Sequence, residues 1–145
     1  MDRKIKFRAW DKCNESMIES RNILKICMSR LNQEPYLIVY LKKWMNENRE
    51  IKESDKSYTN EFGLMQYTGL KDKNGTEIYE GDIMEFRPWN KEETENYIVK
   101  FISDDASFRG IKEKKSSIKV LSLINSEQGL KIIGNIFENP ELVKE

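Results

Sequence analysis

The stretch from Leu64 to Ile83, LMQYTGLKDKNGTEIYEGDI, holds three turn signals and two short apolar arms within twenty residues, which commits this part of the chain to a compact β unit. Its Asn74-Gly75 pair predicts a type I′ hairpin turn, because both central positions of that turn need φ > 0, which glycine and asparagine reach at least steric cost. On one side Leu70 precedes the polar run Lys71-Asp72-Lys73. On the other, Thr76-Glu77-Ile78-Tyr79 leaves in a β-compatible alternation.

The same period of two recurs elsewhere. Ile5, Phe7 and Ala9 alternate with Lys6 and Arg8, and Trp10 follows before the turn-prone Asp11-Lys12-Cys13-Asn14, so a first strand ends near Asp11 and Ser16–Ser20 runs back against it. From Arg21 to Leu31 the apolar positions fit a helical face about as well as a strand, and both remain open. Pro35 breaks the chain, and the β-branched and aromatic run Tyr36–Leu41 reads as a strand. The polar text from Asn46 to Asn60 lacks the apolar residues that would offset its ordering entropy and is expected to form a mobile loop. Ile83–Phe86, Tyr97–Ile102 and Ser107–Ile111 read as further strands and Lys112–Lys115 as charged loop. Ile118 to Ile124 fits a strand or a short helix, and Leu130–Phe137 is a last strand with Gly134 inside it. Several short strands with glycine punctuation predict a mainly β fold, either a small SH3-like barrel or a strongly bent antiparallel sheet with minor helix.

At 145 residues the chain has the size of one domain. Only 38% of it is apolar and 34% is charged, which assigns part of the sequence to a polar segment outside the core. Basic and acidic residues both number 25, so no global field draws the chain toward nucleic acid or acidic membrane. The absence of histidine removes the usual neutral-pH acid/base group, the usual metal ligand and the middle member of hydrolytic triads. Cys13 and Cys27 are too far apart for a CxxC motif and read as reduced thiols. No apolar run approaches the ~18 residues of a membrane span, and none resembles a signal-peptide core. A soluble protein of the bacterial cytoplasm is expected.

Three segments stand out together: IKFRAWD at residues 5 to 11, LMQYTGLKDKNGTEIYEGDI at 64 to 83 and IIGNIFENPEL at 132 to 142. In order and wording they resemble the YopX family, small proteins carried by bacteriophages and prophages. The family is grouped by sequence and has no assigned activity, so the resemblance implies context and a mainly β, SH3-like fold rather than a chemistry. It implies a single domain over residues 1–145 with a variable excursion at about 21–63, through which domain swapping or homo-oligomerisation is open.

Asp11, Glu77, Glu80 and Asp82 are acidic residues of these segments, and paired carboxylates can hold Mg²⁺ or serve as acid and base. The stronger reading is structural: Asp11 ends a strand, Glu80 and Asp82 flank a turn glycine, and such positions favour carboxylates that accept backbone N–H groups. No catalytic, metal or cofactor residue is therefore assigned. Gly63, Gly69, Gly75 and Gly81 recur every six residues at turns, unlike the compact spacing of a phosphate-binding loop. Arg8, Trp10, Gln66, Tyr67 and Lys71 would give a basic, aromatic surface for single-stranded nucleic acid, while core packing explains the two aromatic residues equally simply. The run Lys112–Lys115 with Lys119 adds a local positive patch of the kind that is more often solvated than functional. Trp44, Tyr58, Trp89 and Tyr97 are candidate anchors for a protein partner, because Trp and Tyr dominate interface energetics. The leading expectation is a non-catalytic, protein-binding or regulatory module acting on a host or phage protein, with a weak single-stranded nucleic-acid-binding barrel as the alternative.

Overall fold

A computed structural model describes residues 4–31, 34–41, 57–58, 62–88, 92–114, 117–123 and 129–143. The chain divides into two compact units, Lys6–Met65 and Gln66–Glu145 with Met1–Ile5.

In the first unit β1 (Phe7–Asp11) and β2 (Ser16–Ile18) form an antiparallel hairpin in the register Ala9↔Ile18, Trp10↔Met17 and Asp11↔Ser16. Asp11 holds the turn: Oδ1 accepts the N–H groups of Cys13 and Asn14 at 3.0 and 3.1 Å, and Oδ2 accepts Asn14 Nδ2 at 2.7 Å. Ala9 and Ile18 are buried and pack with Ile23 and Leu64. A 3-10 turn at Ser20–Asn22 leads into β3 (Ile23–Leu31), which pairs antiparallel with β4 (Glu34–Leu41). The segment that fitted helix and strand equally is thus a strand. Its apolar positions do not discriminate between the two, and Tyr36–Leu41 supplies the neighbouring edge that decides the matter. Pro35 does not break β4 but sits second within it, near the strand's start, where a missing N–H is tolerated. β5 (Ser57–Tyr58) pairs with Ile38 and Val39, so two residues of the expected polar loop form a strand, and the rest of that loop lies outside the described residues.

β6 (Phe62–Lys71) begins in the first unit beside β1 and runs into the second, where it pairs with β7 (Glu77–Tyr79). The turn between them departs from type I′. Gly75 N donates to the Asp72 carbonyl and Asp72 N to the Thr76 carbonyl, both at 2.9 Å, and only Gly75 of the Asn74-Gly75 pair has positive φ, at 82°. This is a three-residue loop closed by a left-handed glycine. The Asp72 carboxylate favours it, because Oδ1 collects the N–H groups of Asn74 and Thr76 at 2.8 and 2.9 Å.

The rest of the second unit is a five-stranded antiparallel sheet of β8 (Asp82–Phe86), β9 (Glu95–Ile102), β10 (Ser107–Lys114), β11 (Ser117–Ser122) and β12 (Lys131–Asn135), in the order β11-β10-β9-β8-β12. Lys112 to Lys114, expected as loop, extend β10 opposite Lys119 to Ser117, and of the ambiguous stretch Ile118 to Ser122 is strand while Ile124 lies outside the described residues. A register shift between Ile132 and Gly134 kinks β12 and helps bend the sheet. Met84, Val99 and Ile132 face a core completed by Ile78, Leu123 and Leu130. The described residues are therefore mainly β, in antiparallel sheets of which the five-stranded one is bent, with minor helix that includes the 3-10 turns Ser20–Asn22 and Pro140–Val143.

A candidate binding groove on the second unit

The groove is built from the C-terminal motif. Gly134-Asn135 ends β12, and Asn135 Oδ1 accepts the N–H groups of Phe137 and Glu138, both at 3.0 Å, while its amide donates to Glu138. Asn139 N donates to the Asn135 carbonyl at 2.9 Å. A Cβ at Gly134 would lie 3.0 Å from that of Asn139, so glycine is what lets the clasp close against its own strand. The chain then enters a 3-10 turn, Pro140–Val143, which Asn96 on β9 holds by donating Nδ2 to the Leu142 carbonyl at 3.0 Å.

Between this turn and the sheet lies a groove of about 480 Å³, with aliphatic surface from Ile98, Ile111, Ile133, Leu142 and Val143 and polar surface from Glu85, Thr94, Asn96, Lys112 and Glu113. The registers Ile83↔Ile98, Ile98↔Ile111 and Ile111↔Val120 place one apolar row across four strands, on the face opposite Met84 and Val99. Several rim groups are engaged with protein: Thr94 Oγ1 donates to Glu85 at 3.3 Å, and Lys100 meets Glu113 at 2.5 Å. The hydrogen bond from Lys100, then its charge, holds the exposed Glu113 carboxyl below its ordinary value. Such a cleft can enclose an aliphatic group and fix it with a few polar contacts.

The four acidic residues singled out from sequence all accept hydrogen bonds from protein. Asp82 is buried and takes Tyr79 N at 2.7 Å, Glu77 takes the Tyr79 hydroxyl at 2.9 Å, Glu80 takes Phe101 N at 3.4 Å, and Asp11 holds its hairpin. Among the described residues no cluster of three or more His, Cys, Asp or Glu is placed to hold a metal ion. Asp72, buried and outside that set of four, bonds to two separate parts of the chain. Besides its turn bonds, Oδ2 accepts Ile132 N at 3.0 Å and ties β12 to the loop. Burial pushes its carboxyl up, but the N–H groups of Ile132, Thr76 and Asn74 outweigh burial and leave it below its ordinary value. The Asp-x-Asn-Gly text signals the turn, and nothing local signals Ile132.

Of the proposed nucleic-acid surface, Arg8 and Trp10 belong to the first unit and Gln66, Tyr67 and Lys71 to the second. Trp10 and Tyr67 are buried, and Tyr67 packs against Tyr79 with ring centroids 5.4 Å apart. Of the partner anchors, Trp44 and Trp89 lie outside the described residues, and Tyr58 is placed by its backbone in β5. Tyr97 is buried, and its hydroxyl donates to Glu95 at 2.7 Å. Burial first, then the bond to Glu95 and its charge, push that hydroxyl up to about 12. No local sequence pattern signals the groove, because it joins β8, β9, β10, β12 and the turn that follows β12.

A family model described as YopX protein matches residues 6–144. Among solved structures, the yopX protein of Bacillus subtilis is similar at 20% identity and a TM-score of 0.57, over 96% of this chain and 98% of that one. Protein EF1440 of Enterococcus faecalis is similar at 24% identity and a TM-score of 0.51, over 99% and 100%. At these identities the two structures speak for the fold alone. No curated protein matches the chain.

Proposed function

The chain belongs to the YopX family, and from that premise we propose that it is a non-catalytic binding module of a phage or prophage, engaging a host or phage protein through the groove beneath Pro140–Val143. The observation that carries this reading is the groove's make-up: an aliphatic row under an aliphatic 3-10 turn, with rim carboxylates occupied by protein partners. Its 480 Å³ falls within the roughly 300–1,000 Å³ range of small-ligand sites and is ample for one or two aliphatic side chains of a partner. The chain's lack of histidine supports a binding role over acid/base chemistry at neutral pH.

The test is affinity capture from host cells carrying the phage, with and without nuclease, comparing the native chain with Val143→Asp. Val143 is half-buried on the groove wall, so a carboxylate there spoils the apolar surface without opening the core. A nuclease-resistant protein bound by the native chain and lost with Val143→Asp supports the groove. Recovery that vanishes with nuclease, and that falls steeply with salt as counterions are released, supports the nucleic-acid reading instead.

A further inference from the structure

The two outer strands of the five-stranded sheet are built differently. An unpaired strand edge is a template for another strand, and proteins ordinarily blunt it with a bulge, a short strand or an outward charge. β12 has such a bulge, at Ile132/Gly134. β11, at the other end, continues in unbroken register with β10 over six residues, Ser117–Ser122, and among the described residues no strand lies on its outer side. Its text, SIKVLS, holds one charge, and that charge is turned away from the edge: Lys119 Nζ reaches inward across β10 to Glu95 Oε1 at 2.6 Å. Meanwhile Ile118 and Val120 are 66% and 62% exposed, and Val120 stands next to Ile111, which is 5% exposed. The apolar row that runs across β8, β9 and β10 therefore emerges at an unguarded edge.

We infer that β11 pairs antiparallel with β11 of a second copy about a two-fold axis at Lys119, making the protein a dimer through a continuous sheet. The register follows from side-chain alternation. Facing residues of an antiparallel pair share a face, so an axis at Lys119 sets Ile118 of each copy opposite Val120 of the other, and the same two residues serve the contact twice. Two lysines then face each other across the axis, an arrangement that normally opposes pairing, but each is already neutralised by its own Glu95. A formal net charge of zero removes the overall repulsion that keeps like copies apart. The inference is independent of the groove, since neither Ile118 nor Val120 lines it.

Light scattering on the full chain over a concentration series reads the result directly. The mass should rise from 17.2 kDa toward twice that value. Val120→Lys and Ile118→Lys, both at exposed positions, should hold the chain at the monomer mass while leaving its circular dichroism and melting unchanged. Glu95→Gln, which keeps an acceptor for Tyr97 but uncovers the facing lysines, should weaken association most at low salt. Under mild oxidation Lys119→Cys should cross-link two copies above the level of the native chain, while Ser117→Cys should not. A native chain that stays monomeric up to about 1 mM, far beyond the range of specific association, overturns the inference. So does a dimer that survives Val120→Lys, or cross-linking at Ser117 in preference to Lys119.

Discussion

Asp11 in the first unit and Asp72 in the second each stand just before a turn, and each carboxylate accepts two backbone N–H groups from residues two to four positions further on. They differ in the second oxygen. In Asp11 it takes the side chain of Asn14, three residues on in the same hairpin turn. In Asp72 it takes Ile132 N, sixty residues away, so one carboxylate fixes a turn and holds the strand that follows it in space but not in sequence. A turn residue becomes a constraint on the fold when its spare acceptor meets a distant donor.

The contrast predicts unequal losses. Asp72→Ala should lower unfolding free energy by about 3 kcal/mol in denaturant titration, because it leaves three N–H groups without their acceptor, one of them on a core strand. Asp72→Asn should recover the turn but not β12, since the amide would set a donor against Ile132 N, and exchange of that amide should quicken. Gly134→Ala attacks the other end of the same joint by crowding Asn139, at about 2 kcal/mol by the measure of overpacked sites. Asp11→Ala should cost about 1 kcal/mol, as lost local caps do. Equal losses at Asp11 and Asp72 would break the comparison.

Acid sharpens it further. The folded Asp72 carboxyl titrates below its ordinary 3.8, so its stabilisation is fully present above that value and disappears as pH falls through the lower folded one. The stability gap between native chain and Asp72→Ala should therefore be flat at neutral pH and close below about pH 4. A smaller effect lies at the alkaline end. The Tyr97 hydroxyl is raised to about 12, so the folded state keeps a proton that the unfolded state gives up at about 10, and stability should fall between those values. Tyr97→Phe should flatten that limb, and a phenolate absorbance titration should lose a late-ionising tyrosine in that variant.

What the sequence disclosed follows the same division between local and distant. Phe7–Asp11, Tyr36–Leu41 and the glycine inside the last strand were legible because alternation and turn chemistry act within a few residues. Arg21–Leu31 was ambiguous because its apolar residues satisfy two periods, and only β4 selects one. Lys112–Lys114 looked like loop because charge masks a strand whose register is set by its neighbours. Of the candidate site, the motif IIGNIFENPEL was visible as text, but the cleft it closes depends on Asn96 reaching Leu142 across 46 residues. Tyr97 read as an exposed anchor because a ring and a hydroxyl suit a surface and a buried acceptor pair equally well.

The joint between Asp72 and Ile132 also bears on how the chain is made. A ribosome adding about 10 residues per second delivers the Asp72 turn roughly 6 s before the strand it must hold. During that interval Ile78, Met84 and Val99 lack Leu130 and Ile132, the partners that complete their core. The nascent protein thus waits with a finished latch and an open door, and its greatest exposure to chaperones, proteases and neighbouring chains falls in the seconds before β12 emerges.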